Sequence, residues 1–414
     1  MTERVSLGLK PRATLTPMLG RDPREQHRVA TPLELLFDLV FVVAFSTAGA
    51  QFADFAADGG TNITIGLVGF ALCVFGTVWA WVHFTWFASS FDTDDWLYRL
   101  AMFSAMAGVI IFALGIPDVF TSLGQGQLDY RQVVLGYVVM RVALLSQWLR
   151  VLRHSQQHRN TALAQIVLIG TAQCGWILFA LLHLALVPAL LAVVTLIAYE
   201  VIGARLIAVR IAAAIWHPHH LAERYSLLAI ITLGEGVVGT VAVIGAAIEH
   251  GGWTVDTILL VMVGLGLTCT MWWSYFYTDY GALLERHPNA LPSFVYLHIV
   301  LYGAIAAVGA GLHIVSSSIE GEARISALGV LSSVAVPVGV YIVLLFLITS
   351  VVTQRFIASL WLWPLMTLCV LAVAAIACAL GLPVGWALLI VSVAPMCCVF
   401  GADLAARRIH SDEE

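Results

Sequence analysis

The sequence contains little charge. Only 11% of its 414 residues are Asp, Glu, Lys or Arg, whereas 60% are hydrophobic, and the mean hydropathy is +0.93. A soluble fold does not need that balance, and runs of about 20 apolar residues recur along the whole chain, the length that an α-helix needs to cross a bilayer. We therefore expect an all-α, polytopic integral membrane protein. Its net charge of −5 is spread out and does not indicate nucleic-acid binding.

The sequence also lacks the motifs of metal, disulfide and cofactor sites. The seven cysteines fall inside apolar runs without a Cys-x-x-Cys pair, so we interpret them as small hydrophobic residues. The paired Cys and His spacing of a zinc site, a phosphate loop, a nucleophile elbow and a dinucleotide fingerprint are all absent from the sequence. We expect no metal and no cofactor, and a non-enzymatic role is favoured over catalysis. The basic tail 1–28 has no apolar core, which argues against a signal peptide.

Hydropathy predicts about twelve membrane spans. Each should be a helix, because a backbone in lipid must satisfy its own hydrogen bonds. The predicted spans are 33–55, 63–87, 96–116, 131–149, 162–184, 187–209, 225–248, 257–278, 294–315, 327–351, 356–380 and 383–404.

The positions of the basic residues predict the orientation. If the N-terminus is cytoplasmic, all but three of the 20 Lys and Arg residues fall on the cytoplasmic side. The exceptions are Arg131 and Arg324, on the other side, and Arg141, within a span. Cytoplasmic loops are enriched in Lys and Arg, so we expect both termini in the cytoplasm.

Two halves of the chain resemble each other. The Trp-x-Trp stretch at 79–84 recurs as a Trp-Trp stretch at 271–276, and two further motifs recur in the same order. We expect a cytoplasmic tail at 1–30, six-helix repeats at 31–215 and 216–408, and an acidic tail at 409–414. Six spans per repeat is an even number, so the repeats would be related by an axis along the membrane normal.

Two acids lie in the first turns of the first span. Glu34 and Asp38 are four residues apart and share one helix face, after a predicted N-cap at Thr31 and a first-turn Pro32. A carboxylate facing lipid is strongly disfavoured, so this face should meet protein or water. Glu34 fits a shallow acid that complements the helix N-terminus near Arg28. Asp38 is one turn deeper, and either that role or a functional one fits it.

Three charged residues are predicted near the middle of the membrane: Arg141, Glu200 and Glu235. Ionisable groups at that depth indicate function by default, although a structural ion pair is the alternative. We expect Arg141 to pair with Glu235, with Glu200 as the competing partner.

The seventh span carries further polar residues. Glu223 precedes it, and Gly234 and Gly236 flank Glu235, which would allow close backbone approach, a kink or an ion. As the repeat partner of the first span, this helix should form the other wall of a central site; packing by small residues is the alternative.

An acidic loop follows the second span. Asp92, Asp94 and Asp95, with Arg99, oppose the positive charge of the cytoplasmic side. These acids could bind a divalent cation or hold Arg99, but the glycine and the final Glu of a calcium loop are missing. A solvated, helix-capping loop is therefore the favoured interpretation.

Aromatic residues gather at the cytoplasmic ends of two equivalent spans. They fit either interfacial anchors or an aromatic pocket. The residues are Trp79, Trp81, His83, Trp86, Trp272, Trp273, Tyr275 and Tyr277. The histidines at 217, 219 and 220 are expected to lie in a solvent-exposed cytoplasmic loop.

Three motifs together resemble a known family. Thr31-Pro-Leu-Glu-Leu-Leu-Phe-Asp, Phe91-Asp-Thr-Asp-Asp with Arg99, and Glu223-Arg-Tyr with Leu233-Gly-Glu are similar to the bacterial low temperature requirement A (LtrA) family, over about residues 25 to 408. The family often has Ser after Gly-Glu, where this chain has Gly236. The resemblance implies a bacterial inner-membrane protein and a growth requirement in the cold, not a biochemical activity. Phe37-Asp38 also weakly resembles the first helix of potassium channels marked by Arg…Phe-Ser-Asp.

The leading functional prediction is a transporter or channel-like permease. Its polar midplane site would bind a proton, a cation or a small solute, and Glu34, Asp38, Arg141, Glu200, Glu223 and Glu235 are the candidate binding residues. The alternatives are a membrane enzyme acting on a lipid or redox carrier and a non-catalytic membrane sensor or scaffold. The expected partners are the lipid bilayer and a small solute or ion, and a homo-oligomer is possible.

Overall fold

The computed structural model describes residues 15–22, 25, 28–59, 63–211, 216–354, 362–401 and 403. Within these residues the regular secondary structure is entirely helical. A short 3₁₀ turn at Pro288–Ala290 precedes α12. The α-helices are α1 (Pro32–Val40), α2 (Val42–Ala57), α3 (Ile63–Phe91), α4 (Trp96–Leu114), α5 (Ile116–Gly124), α6 (Arg131–His154), α7 (Arg159–Leu181), α8 (Leu186–Arg210), α9 (Pro218–Gly251), α10 (Val255–Phe276), α11 (Tyr280–Arg286), α12 (Leu291–Ile319), α13 (Ala327–Thr353), α14 (Leu362–Ala379) and α15 (Val384–Val393).

Twelve segments of the described chain are long and apolar enough to cross a membrane. This confirms the predicted all-α membrane fold and its number of spans. Some spans combine two helices: α1 with α2, α4 with α5, and α10 with α11. The seventh span begins at Pro218 rather than at 225, because proline is well suited to a first helical turn. The tails 1–14 and 404–414 and the start of the predicted eleventh span, 356–361, lie outside the described residues.

Local sequence signals set the start and the breaks of these helices. Thr31 and Glu34 form a reciprocal capping box at the start of α1, which confirms the predicted N-cap. The first span breaks at Phe41, whose backbone N–H donates to the Asp38 carbonyl three residues back rather than four. The third span breaks before Pro117, which has no N–H to continue the hydrogen bonding of α4.

Two long helices, α9 and α12, form the centre of the molecule and pack against each other. The span containing α12 is the most buried of the twelve, whereas the span formed by α8 is the least buried. The first span joins this centre, because α1 contacts α9 and α2 contacts α12. The two-repeat organisation, with halves at 31–215 and 216–408, remains a prediction.

The helix ends define two faces of the molecule. We call the face at which Thr31 begins the first span the N-terminal face. The chain that precedes Thr31 packs on this face, since the Arg21 backbone N–H donates to the Ser90 carbonyl at 2.8 Å. On the opposite face the Arg324 N–H donates to the Ala57 carbonyl at 2.8 Å.

Candidate functional site

A buried ion cluster joins the first span to α9. It consists of Glu34 and Asp38 from α1 and His220 and Arg224 from α9, and none of these four side chains is more than 1% exposed. The spacing of four on each helix places each pair on one helix face, so the two faces meet. The prediction that Glu34 and Asp38 face protein is therefore confirmed.

Arg224 is the centre of this cluster. Its Nη1 donates to Glu34 Oε1 at 2.8 Å, its Nε to Asp38 Oδ2 at 2.8 Å and its Nη2 to Asp38 Oδ1 at 2.5 Å. Trp81 Nε1 of α3 also donates to Asp38 Oδ1, at 2.6 Å, and its ring lies 5.9 Å from the guanidinium carbon of Arg224. Asp38 thus accepts a bidentate arginine, the strongest geometry for a buried ion pair.

Glu34 is also saturated with hydrogen bonds. Besides Arg224, its carboxylate lies 3.1 Å from His220 Nε2 and accepts the Thr31 N–H at 2.8 Å. Glu34 therefore complements the helix N-terminus as expected, but the arginine that binds it directly is Arg224, and Arg28 interacts with it only electrostatically. Arg28 instead binds the carbonyls of Ala88, at 2.7 Å, and Ser89, where it caps the end of α3. A cation at a helix C-terminus interacts favourably with the helix dipole, although burial lowers the pKa of Arg28.

Glu223 lies outside the buried ion cluster. It is half-buried, and its Oε2 accepts the backbone N–H of Ala30 at 3.0 Å. Glu223 therefore holds the chain that leads into α1 in position, and it does not contact the cluster directly.

The acidic loop on the N-terminal face caps a helix and holds three arginines, of which Arg21 lies 3.6 Å from Asp92. Asp95 is the N-cap of α4, accepting the Tyr98 N–H at 2.9 Å, and it also binds Arg150. Asp94 binds Arg99 at 2.8 Å, which confirms the predicted contact. Asp92 Oδ1 accepts the Asp94 N–H at 2.8 Å. The helix cap that was favoured from the sequence is confirmed, but the expected solvation of the loop is wrong, because Asp92 and Asp95 are both buried.

Burial and neighbouring groups shift the pKa values of two acids of this loop, Asp92 and Asp95, in opposite directions. Burial raises the pKa of Asp92 to about 6, with Glu34 contributing in the same direction. Burial also opposes the ionisation of Asp95, but hydrogen bonds, foremost from Arg150, outweigh it and lower the Asp95 pKa. Asp92 is therefore the acid of this loop that changes charge in mildly acidic solution.

Arg141 pairs with Glu200, and the prediction of an Arg141–Glu235 pair is wrong. Arg141 Nη2 lies 2.9 Å from Glu200 Oε2, between α6 and α8. Three further donors complete the shell of Glu200: Tyr137 at 2.7 Å, Trp79 at 3.0 Å and Trp176 at 2.8 Å. Arg141 meets Glu200 rather than Glu235 because α6 and α8 both pack on α7, which brings these two helices together.

Glu235 lies apart from both charge networks. Its hydrogen bond comes from Ser46 Oγ of α2 at 2.9 Å, its side chain is 4% exposed, and no salt bridge reaches it from the described residues. A methyl group on Gly309 of α12 would lie 2.8 Å from Glu235 Cβ, so α12 passes directly against this residue. The glycine beside Glu235, Gly236, allows the close approach of another side chain, since a methyl group there would lie 2.8 Å from Thr268 Oγ1.

Arg141, Asp38 and Glu235 therefore do not converge on one site. Asp38 belongs to the buried ion cluster, Arg141 to a separate pair with Glu200, and Glu235 to the crossing of α2, α9 and α12. On the far side of Glu235, His313 of α12 and Asp54 of α2 interact electrostatically between it and the opposite face.

Sequence reasoning missed two members of the buried ion cluster and the tryptophan that donates to it. Arg224 and His220 were placed before the seventh span, and Trp81 was expected as an anchor or a pocket residue. Pro218 was the available signal, since a helix that begins there carries Arg224 two turns inside the span. Of the neighbouring histidines only His219 is exposed, so the expectation of a solvent-exposed histidine cluster is wrong.

Comparison with known proteins identifies relatives without a described activity. The family model of the bacterial low temperature requirement A protein (LtrA) matches residues 29–395. The uncharacterized protein RA0937 of Rhizobium meliloti (strain 1021) is 26% identical over 302 residues, which is 71% of this chain and 69% of that protein. No solved structure matches the chain. The matched region includes the three charge sites described above.

Proposed function

The chain belongs to the bacterial low temperature requirement A family, and from this premise we propose that it is a permease that moves a proton or small cation across the bacterial cytoplasmic membrane. One observation carries the proposal: the carboxylate of Glu235 is buried midway along the longest helix, with a single serine hydroxyl as its described hydrogen-bond donor.

A carboxylate in this position needs a compensating charge. An unpaired acid within a bilayer is strongly disfavoured, and acids that persist there mark ion pathways and proton relays. Asp38 and Glu200 each have an arginine within 2.9 Å, whereas Glu235 has no such cation among the described residues. Glu235 is therefore the acid of the three that is chemically suited to bind and release a proton or cation.

Polar groups extend from Glu235 toward the opposite face. Ser46 and Asp54 lie two turns apart on α2, and His313 is one turn beyond Gly309 on α12. His313 is half-buried and Asp54 is exposed, so these groups lead from solvent to the buried carboxylate. This is the side from which an ion would enter in the present conformation.

An apolar layer separates Glu235 from the N-terminal face. Arg224 and Glu235 are eleven residues apart on α9, about 16 Å at 1.5 Å per residue. Three apolar side chains are fully buried between the levels of these two residues: Leu228 of α9, and Phe41 and Phe45 of the first span. We interpret this layer as a closed gate, with the buried ion cluster holding α1 against α9 beyond it.

The test is ion flux into liposomes that contain the purified protein. Wild type should acidify the lumen faster than empty liposomes under a membrane potential, and separate Na⁺ and K⁺ gradients identify the ion. Ser46→Ala should slow the flux about tenfold, because a lost hydrogen bond to a charged group costs about 1.5 kcal/mol or more. Thr47→Val is the matched control, since Thr47 is half-buried beside Ser46 and its hydroxyl bonds its own helix.

A non-catalytic sensor or scaffold is the second candidate. The saturated contacts of Arg224 with Glu34 and Asp38 favour it, because a dry, fully satisfied ion pair is also what a static membrane scaffold would contain. Absence of flux for protons, Na⁺ and K⁺ alike would support this candidate and contradict the permease. Cytoplasmic termini and a homo-oligomer remain predictions.

A further inference from the structure

A cavity lies near the N-terminal face, apart from Glu235 and the buried ion cluster. Its volume is about 120 Å³, and it lies between α3, α6, α7, α8 and α12. An engineered apolar cavity of about 150 Å³ binds benzene, so this one accommodates the end of a hydrocarbon chain. Its aromatic lining residues are Trp79, Trp86, Phe87, Trp148 and Tyr296.

The polar groups of this cavity favour an anionic partner. Arg205 lines it and is exposed, and no acid is among the lining residues. The buried Oε1 atom of Gln165, which also lines the cavity, has no hydrogen-bond partner among the described residues, so it is an unused acceptor.

The cavity is open to the bilayer between two helices. Both α8 and α12 line it, but the main packing partner of α8 is α7, and the main partners of α12 are α9 and α13. The span of α8 is also the least buried of the twelve. Lipid therefore has lateral access between α8 and α12.

We propose that this cavity binds an anionic glycerophospholipid of the surrounding bilayer. The phosphate contacts Arg205, a headgroup hydroxyl donates to Gln165 Oε1, and the end of one acyl chain lies among the aromatic rings. Arg205 is five residues before the end of α8 and Gln165 six after the start of α7, about 8–9 Å along each helix. An arginine at this depth reaches the headgroup level through its flexible stem.

This site connects lipid binding to a buried charge network. Trp79 lines the cavity and also donates to Glu200, the partner of Arg141. The lining helices α3 and α12 belong to opposite predicted halves, so one bound lipid would bridge them. The proposal does not depend on ion transport, because its readout is bound lipid.

The test is to measure lipid that stays bound through purification. Wild-type protein, delipidated and exposed to equal phosphatidylglycerol and phosphatidylcholine, should retain phosphatidylglycerol when analysed by native mass spectrometry. Arg205→Ala should reduce retention about fivefold, the effect of one cation near an anionic lipid at about 1 kcal/mol. Ala208→Phe should reduce it by filling the cavity.

Two control variants separate the cavity from general effects. Arg210→Ala removes an exposed charge from the same helix, and Val209→Phe adds the same ring at a lipid-facing position that is 63% exposed. Both should retain phosphatidylglycerol as wild type does, and monodisperse elution of all four variants checks their folding. Equal retention of the two lipids, equal loss in the controls, or thermal protection by inorganic phosphate as large as that by phosphatidylglycerol would overturn the proposal.

Discussion

Asp92 and Asp95 are three residues apart in one loop, yet they should respond oppositely to neutralisation. Burial raises the pKa of Asp92 to about 6, above its ordinary value near 3.9. The folded protein then keeps this proton to higher pH than the unfolded chain. Folding stability from this group therefore falls as pH rises from about 4 to about 6 and stays low above that.

Asp92→Asn should consequently stabilise the protein at pH 7, by at most about 3 kcal/mol for a pKa shift of about two units. The gain should vanish below about pH 4. Asp95→Asn is the contrasting variant, because it leaves the buried Arg150 without its carboxylate and should destabilise. Thermal unfolding in detergent between pH 4 and pH 8 measures both, and a stabilising Asp95→Asn would contradict this account.

Arg224 should be the least replaceable residue of the buried ion cluster. Arg224→Gln leaves Glu34 and Asp38 buried without a cation and should cost about 3–5 kcal/mol of unfolding free energy. Adding Asp38→Asn to that variant should recover part of the loss, because one buried anion is then removed. Arg210→Gln, at an exposed position, is the control. Unfolding in mild detergent reports all three, and additive losses would argue against the cluster.

The sequence indicated several of the buried charges, Arg141, Glu200 and Glu235 among them, but not which of them meet. The spacing of Glu34 and Asp38 was sufficient to place them on one face. The partner of Arg141 depended on which helix lies beside α6, and the depth of Glu200 and Glu235 was similar. When two acids lie at the same depth, long-range helix packing determines which of them meets the arginine. No local pattern in the chain contains that information.

At the scale of helices, the crossing of α9 and α12 depends on the absence of a side chain at Gly309. A methyl group there would lie 2.8 Å from Glu235 Cβ and 3.0 Å from its backbone. Gly309→Ala should therefore push the helices apart and cost about 1–3 kcal/mol, the usual range for overpacking.

Gly245→Ala is the matched control, because a methyl group at that position of α9 would meet nothing within 4 Å. It should be neutral or slightly stabilising, since alanine favours a helix more than glycine does. Thermal unfolding in detergent compares the two variants. A neutral Gly309→Ala would mean that the helices are not closely packed at Glu235.

Helix existence was more predictable than helix boundaries. Apolar runs of membrane length were visible for every span, since the bilayer fixes the length required. The breaks at Phe41 and before Pro117 were not predicted, because hydropathy continues through both. The early start of α9 was also missed, and with it the burial of Arg224 and His220.

For the whole molecule, the distribution of Lys and Arg predicts that the N-terminal face is cytoplasmic. In a cysteine-free background, Gln125→Cys on the opposite face should react with a membrane-impermeant maleimide in intact cells. Arg153→Cys, exposed on the N-terminal face, should react only after permeabilisation. The reverse labelling pattern would invert the topology.

The central claim is that Glu235 carries the ion through the membrane. The most direct measurement compares ion flux through liposomes containing wild type, Glu235→Gln and Glu249→Gln at equal protein density. Glu249 lies on the same helix and is exposed, so it controls for the loss of an acid. The account predicts wild-type flux for Glu249→Gln and flux reduced to that of empty liposomes for Glu235→Gln. Full flux through folded Glu235→Gln protein would contradict it.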